Sequence, residues 1–344
     1  MVMGNNRIPV TVVTGFLGAG KTTLLRYLLK QTTQRLAVIV NEFGEVGIDA
    51  ALIKNCIECP DDAGLIVELA NGCLCCTVQD DFLPTIEKLL AQPQALDGII
   101  IETSGLALPE PLLQAFQWPQ IKHRTIVHAV ITVVDGEALA AGSVVCKPEE
   151  LEKQRFEDLS INHLDAIEEL FREQLEQADL VLISRADLLK PDQLQVARNF
   201  LEEQLRMLQI QNRPQCLAIA NGELSADLLL GIQHTNRLNE EEEEHTHSHP
   251  ELNAAALSLQ GEWHKDGLAE MILANVIKPM DLYRLKGRIP IKGKELPLQV
   301  QAVGSRLNLW FEADGLDSDQ LEIVLIGSNP DAKRLELHLD EFKC

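Results

Sequence analysis

Positive charge is scarce in this chain of 344 residues: 30 lysines and arginines stand against 52 aspartates and glutamates, a formal net charge of −22 at pH 7. A field of that sign repels phosphate backbones and anionic bilayers, which excludes nucleic acid and membranes as partners and leaves cations and basic surfaces as what it attracts. Long apolar runs are absent as well. The stretch Gly-Ile-Ile-Ile at 98–101 is typical, far short of the roughly 20 residues that a membrane span needs. The opening MVMGNNRIPV lacks the charged segment and apolar stretch of an export signal. Cysteine is sparse too: eight residues are too few for a disulfide scaffold, and three of them crowd into Cys73, Cys75 and Cys76. Without an export signal such a cluster reads as metal-binding or redox rather than cross-linking. A cytoplasmic protein is the expectation.

What is present is ordinary for a folded protein, 46% apolar and 24% charged, over a length that suggests about two domains. Short β-branched runs at 10–13, 36–40, 65–69, 98–101, 125–134, 180–183 and 216–219 alternate with amphipathic stretches at 21–31, 165–177 and 191–208. Near-continuous apolar strands between helices indicate a mostly parallel sheet covered on both faces, an α/β domain over 1–238. At 239–251 the composition changes to NEEEEEHTHSHPE. No packed element tolerates five successive glutamates, so this is a solvated linker. Beyond it, 252–344 reads as strand (255–260), helix (268–276), four strands (280–285, 298–303, 307–311, 321–326) and helix (332–339), a smaller α+β domain.

The strand at 10–13 runs into Gly15-Phe16-Leu17-Gly18-Ala19-Gly20-Lys21-Thr22, a complete G-x-x-x-x-G-K-[ST] with a helix behind it. Glycines let successive backbone N–H groups converge on phosphates, and the helix N-terminus adds partial positive charge. Lys21 reaches the β- and γ-phosphates and the Thr22 hydroxyl serves Mg²⁺. The candidate nucleotide contacts here are Gly15, Gly18, Ala19, Gly20, Lys21, Thr22 and Thr23, weighed against a chance glycine-rich turn. A second acidic group belongs at the end of a neighbouring strand, and Glu102 ends the run at 98–101. Gly105, three residues on, can offer its N–H to the γ-phosphate and so report hydrolysis; the bland alternative is a strand ending in a solvated glutamate. Lys21, Thr22 and Glu102 are the candidate catalytic residues. The segment NEFGEVGID carries Glu42, Glu45 and Asp49 at the carboxyl end of the second strand. Their carboxylates suit Mg²⁺, its waters or a second metal, and the sequence does not divide those roles; Asp49 is carried as a candidate for the nucleotide site and Glu45 for the metal site. Base choice falls to Ser184-Arg185-Ala186-Asp187 after a buried run. Asp187 can accept two hydrogen bonds from the guanine edge, which adenine cannot supply; the alternative is a helix N-cap.

Cys73-Leu74-Cys75-Cys76 packs three thiols into four residues. Three thiolates can approach one soft or borderline divalent ion at a tetrahedral site. A redox Cys-x-x-Cys (Cys73 with Cys76) and buried structural cysteines are the alternatives, and the pair Cys56 and Cys59 reads as structural or accessory. His245, His247 and His249 alternate beside five glutamates, a pattern that suits an extended low-affinity collector of Co²⁺, Ni²⁺ or Zn²⁺, or else a solvated linker.

TVVTGFLGAGKTTLLR, NEFGEVGID, ELANGCLCC, IIIETSGLALPEPLL and the Ser-Arg-Ala-Asp tetrad together resemble the CobW family of metal-handling GTPases. The resemblance runs from about residue 8 to the C-terminus and is most specific over 8–120. It implies an α/β P-loop GTPase domain like that of nickel and cobalt insertases, followed by a smaller α+β C-terminal CobW-type domain. It also implies hydrolysis of GTP to GDP and phosphate with Mg²⁺, and a Cys-x-Cys-Cys site whose affinity depends on the bound nucleotide. The cargo so implied is Co²⁺, delivered to a cobaltochelatase subunit for corrin-ring synthesis. Other branches of the family handle Zn²⁺, and a zinc metallochaperone is the near alternative. The tetrad departs from the usual Asn-Lys-x-Asp at Ser184 and Arg185. From other classes come a passive metal buffer, and a small-molecule kinase for which no acceptor site is evident. Deleting 240–249 should leave nucleotide turnover and tight metal binding intact while slowing metal capture from a competing chelator; equal loss of the tight site would make these histidines primary ligands.

Overall fold

Short, near-continuous apolar runs rich in β-branched residues alternate in the first part of the chain with stretches of helical period, and the runs form strands and the stretches helices. The computed structural model describes residues 7–32, 34–40, 65–68, 82–105, 107–145, 167–208, 213–230, 252–311 and 320–344. They fall into two units, one within Arg7–Leu230 and one within Gly231–Cys344. The first is built from β1 (Ile8–Thr14), α1 (Lys21–Gln31), β2 (Leu36–Val40), β3 (Leu65–Glu68), α2 (Leu83–Leu90), β4 (Gly98–Glu102), α3 (Glu110–Ala115) and β5 (Thr125–Asp135). It continues through α4 (Gly136–Ala140), α5 (Ile167–Glu176), β6 (Leu180–Ser184), α6 (Pro191–Met207), β7 (Gln215–Ala218) and α7 (Ala226–Leu229).

The strands form one sheet in the order β3-β2-β4-β1-β5-β6-β7. Every pairing in it is parallel, so among the described residues the sheet is wholly rather than mostly parallel. All five residues of β2, β4 and β6 are buried, as strands covered on both faces must be. One core cluster packs Phe82, Ile86 and Leu89 of the α2 region with Leu112 and Phe116 onto Val10, Val12, Ile39 and Ile101. A second packs Phe171 and Leu175 of α5 with Ala197, Leu201 and Leu205 of α6 onto Val134, Val181 and Ile183. A register shift between Val10 and Thr11 leaves His128 as an extra, buried residue in β5. Because all the strands point the same way, the segments that follow β1, β4, β5, β6 and β7 gather at one carboxyl edge, where open parallel sheets bind ligands.

The second unit holds β8 (Asn253–Gln260), α8 (Leu268–Met271) with a π-helical continuation over Ile272–Ile277, β9 (Leu282–Ile289), β10 (Leu298–Val303), β11 (Arg306–Phe311), β12 (Gln320–Gly327) and α9 (Ala332–Asp340). Its sheet is antiparallel, ordered β11-β10-β9-β12-β8. The helices cover one face through Leu268, Ile272, Val276, Leu335 and Leu339. The strand expected at 280–285 starts later and runs on to Ile289. Asp281 turns the chain with a φ of 51°, and Met280 is apolar because it packs in the core, not because it is in a strand.

α9 begins at Asp331, whose carboxylate accepts hydrogen bonds from the N–H groups of Lys333 (3.0 Å) and Arg334 (3.1 Å). Asp331→Ala orphans both donors and should lower the stability of this unit by about 1 kcal/mol, read as a lower urea midpoint with unchanged slope; an unmoved midpoint would deny the cap a role.

Candidate functional site

The glycine-rich loop leaves the sheet under tight constraint. Gly15 has a φ of 132°, and a methyl group on it would lie 2.1 Å from the carbonyl oxygen of Val133 in β5. Only glycine fits there. The chain then turns through Ala19, whose N–H bonds the Phe16 carbonyl at 3.1 Å, and enters α1 at Lys21. Gly20 caps that helix in a left-handed conformation without a side-chain cap, and its first turn carries no acidic residue. The first N–H groups and the positive end of the dipole therefore stay available to an anion. Lys21 is buried, and its ammonium folds back over the loop to donate to the carbonyls of Gly15 (2.8 Å) and Phe16 (3.2 Å). Such partners are what a buried charge requires.

β4 brings the acid to the loop. Val13 pairs with Glu102 in the parallel register, and Thr103 N–H donates to the Val13 carbonyl at 3.0 Å. The Thr103 hydroxyl reaches Thr14 Oγ1 at 2.9 Å. Glu102 is buried, and its Oε1 accepts from the Thr22 hydroxyl at 3.1 Å. A hydroxyl and a carboxylate so placed are hard oxygen donors of the kind Mg²⁺ takes. Gly105 then returns to the loop: a methyl group on it would lie 2.5 Å from the backbone nitrogen of Leu17. Thr23 faces outward from the first turn of α1.

β6 brings the tetrad. Ser184 turns its hydroxyl into the sheet, onto the Val134 carbonyl at 3.1 Å. Arg185 sits in the left-handed region, with a φ of 56°. Its guanidinium donates to Asp135 Oδ2 at 2.5 Å, Glu137 Oε2 at 3.4 Å and the Gly18 carbonyl at 2.8 Å. Asp187 is exposed within a 3₁₀ turn, Ala186–Leu188, and its Oδ1 accepts from the Asn221 N–H at 3.1 Å. It is not a helix N-cap: the following helix, α6, is capped by Lys190.

The structure thus brings Gly15, Gly18, Ala19, Gly20, Lys21, Thr22, Thr23, Glu102, Gly105 and Asp187 to one edge of the first unit. Glu42, Glu45, Asp49, Cys56, Cys59, Cys73, Cys75, Cys76, His245, His247 and His249 lie outside the described residues. Three residues at the edge were not anticipated. Asp135 ends β5, caps α4 by accepting from Glu137 N (2.9 Å) and Ala138 N (3.1 Å), and anchors Arg185. An aspartate between a β-branched run and glycine was its signal. Asn221 holds Asp187 through its backbone, which no side-chain pattern announces. Gln174, fully buried on α5, donates to the carbonyls of Gly105 (3.3 Å) and Ala107 (3.4 Å); one polar residue within the apolar stripe of Leu170, Phe171 and Leu175 was the available sign.

The family profile described as "CobW/HypB/UreG, nucleotide-binding domain" matches residues 9–212. A second, "Cobalamin synthesis protein cobW C-terminal domain", matches residues 253–343. A protein named "Zinc chaperone CobW" from Pseudomonas aeruginosa is 42% identical over 341 residues, spanning 94% of this chain and 88% of its own. A second of that name, from a Sinorhizobium species, is 40% identical over 319 residues, spanning 89% and 88%. "Zinc chaperone YjiA" from Escherichia coli is 42% identical over 136 residues, 38% of this chain and 41% of its own.

A methyl group at position 105 must push Leu17 or the loop after β4 away. Gly105→Ala should therefore weaken binding of a nucleoside triphosphate by about tenfold, equivalent to about 1.4 kcal/mol, in a calorimetric titration; wild-type affinity in the variant would mean that this approach is irrelevant to the site.

Proposed function

The chain belongs to the CobW/HypB/UreG family of metal-handling GTPases, and on that premise we propose that it is a zinc chaperone whose grip on the metal is set by GTP binding and hydrolysis. The observation that carries the nucleotide half is the hydrogen bonding of Lys21 to the glycine-rich loop and of Thr22 to Glu102 at one edge, with Gly105 packed against Leu17 there. Lys21 and the open end of α1 supply the positive charge that a triphosphate needs in a chain of net charge −22. Thr22 and Glu102 would hold the accompanying Mg²⁺, which when bound neutralises charge on the phosphates. Asp187, steadied by Asn221, is the acceptor for the guanine edge. Gly105, pressed against Leu17, stands where the loss of a terminal phosphate alters the backbone, as in nucleotide switches generally.

The cargo reading changes from that of the sequence alone. The resemblance pointed first to Co²⁺ and a cobaltochelatase, with Zn²⁺ as the alternative. Relatives that match this chain over nearly its whole length are named for zinc. Chemistry supports the same choice, since thiolates such as those of Cys73, Cys75 and Cys76 suit Zn²⁺ well. These thiols lie in sequence between Asp49 and Glu102, so a movement of the flanking segments with GTP can gather them around one ion. The recipient is then an apoprotein that requires zinc.

The test is linkage. With Mg²⁺ and a non-hydrolysable GTP analogue, the full chain should hold Zn²⁺ against a chromophoric chelator roughly 5–150-fold more tightly than with GDP, and Zn²⁺ should tighten the analogue by the same factor. Co²⁺, followed by its thiolate absorbance, should bind more weakly than Zn²⁺ in the same state. Equal Zn²⁺ affinity in the two nucleotide states would make the protein a passive buffer.

A further inference from the structure

We propose that Gln174 is the positioning residue that holds the Gly105 loop against the phosphate loop and thereby sets the preference for triphosphate over diphosphate, a role that rests on the nucleotide reading above. α5 presents Phe171 and Gln174 three residues apart, hence on one face. Phe171 stacks on Phe16 of the phosphate loop, with ring centroids 6.0 Å apart and planes 14° from parallel. One helix turn away, the Gln174 amide reaches the carbonyls of Gly105 and Ala107. A single buried helix face therefore braces both loops of the site.

The chemistry of the amide makes its orientation unambiguous. Both partners are carbonyl oxygens, which only accept, so Nε2 must face them. The other end, Oε1, is buried and has no hydrogen-bond partner among the described residues. A methionine or leucine would complete the apolar stripe without that desolvation cost, so packing does not explain a glutamine here. At 3.3 and 3.4 Å its bonds are at the long end of the range, a clamp that can yield when the loop moves. Breaking it takes a donor from the half-buried Gly105 carbonyl and from the buried Ala107 carbonyl, and the loop moves toward water to replace it. Gly105 already touches Leu17, so that movement is away from the phosphate loop. On the nucleotide reading above, the terminal γ-phosphate is the part of the ligand that meets this segment, so a loosened clamp weakens the triphosphate selectively. Gln174 touches no nucleotide; it acts through Gly105.

Two variants of the full chain separate this role from simple packing. Gln174→Met keeps length and volume but removes both donors. Thr132→Val removes a different buried bond to the same helix turn, from the Thr132 hydroxyl to the Gln174 carbonyl at 3.1 Å, and leaves the clamp in place. With Mg²⁺ present, the ratio of affinities for a non-hydrolysable GTP analogue and GDP should fall about tenfold in Q174M, with GDP within about twofold of wild type. T132V should keep the wild-type ratio even where it melts earlier. Gln174→Asn, too short to reach Gly105, should move the ratio the same way and serves if Q174M does not fold. An unchanged ratio in Q174M and Q174N, or an equal change in T132V, overturns the proposal. A wild-type chain that binds neither guanine nucleotide overturns the nucleotide reading, and this proposal with it.

Discussion

The site is built outward from one contact, the approach of Gly15 to the backbone of β5. A side chain there would overlap the Val133 carbonyl, so the chain can leave β1 only by turning directly across the neighbouring strand. That turn exposes the carbonyls of Gly15 and Phe16 to the Lys21 ammonium, and the bonds it makes to them keep a buried cation inside the loop. It also places Leu17 where Gly105 meets it. Loop, lysine and the end of β4 thus share one origin: the backbone packing of a parallel sheet at its carboxyl edge.

The tetrad is tied to the same loop by Arg185, which donates to the Gly18 carbonyl and is itself anchored by an ion pair to Asp135 at the end of β5. Asp135 is almost fully buried, and its two oxygens are used up by two helix N–H groups and the Arg185 guanidinium. Removing the guanidinium would leave the buried Asp135 carboxylate without its counter-charge, whereas Arg185 is partly exposed and keeps Glu137 and the Gly18 carbonyl. The planar fork of arginine makes this possible, because it can serve Asp135, Glu137 and the Gly18 carbonyl together; a lysine offers a single point charge. Ser184, its hydroxyl turned onto Val134, has no part in that link. The departure from Asn-Lys-x-Asp therefore has a structural counterpart: arginine joins the tetrad to the glycine-rich loop, and the serine bonds within the sheet.

Overall charge and local charge are opposed. An acidic chain attracts a divalent cation and repels a nucleotide, so the phosphate end of the site must reverse the field over a few ångströms. It does so with fixed groups: the uncapped, acid-free start of α1 and the buried Lys21. Elements held in this way cost little to reorganise when an anion arrives, and the surrounding acidity remains free to act on the metal.

The strands and helices, the G-x-x-x-x-G-K-[ST] and the Glu102 strand end were legible because each is a local pattern: a short unbroken apolar run or a period of 3.6, glycines at turn positions, a carboxylate where an apolar run stops. α1 at Lys21–Gln31 and β2 at Leu36–Val40 have the bounds that their residues announced. Met280 misled because apolar character marks burial, not the element that provides it. The sequence alone determined which residue types could meet phosphate, magnesium and a soft metal ion, since that depends on side-chain chemistry. Tertiary structure decided the connections: Arg185 to Asp135 across 50 positions, Thr22 to Glu102 across 80, Gln174 to Gly105 across 69. The reason is physical. A hydrogen bond between residues far apart in the chain leaves no periodicity in either segment, and only the parallel order of the sheet brings their ends to one edge.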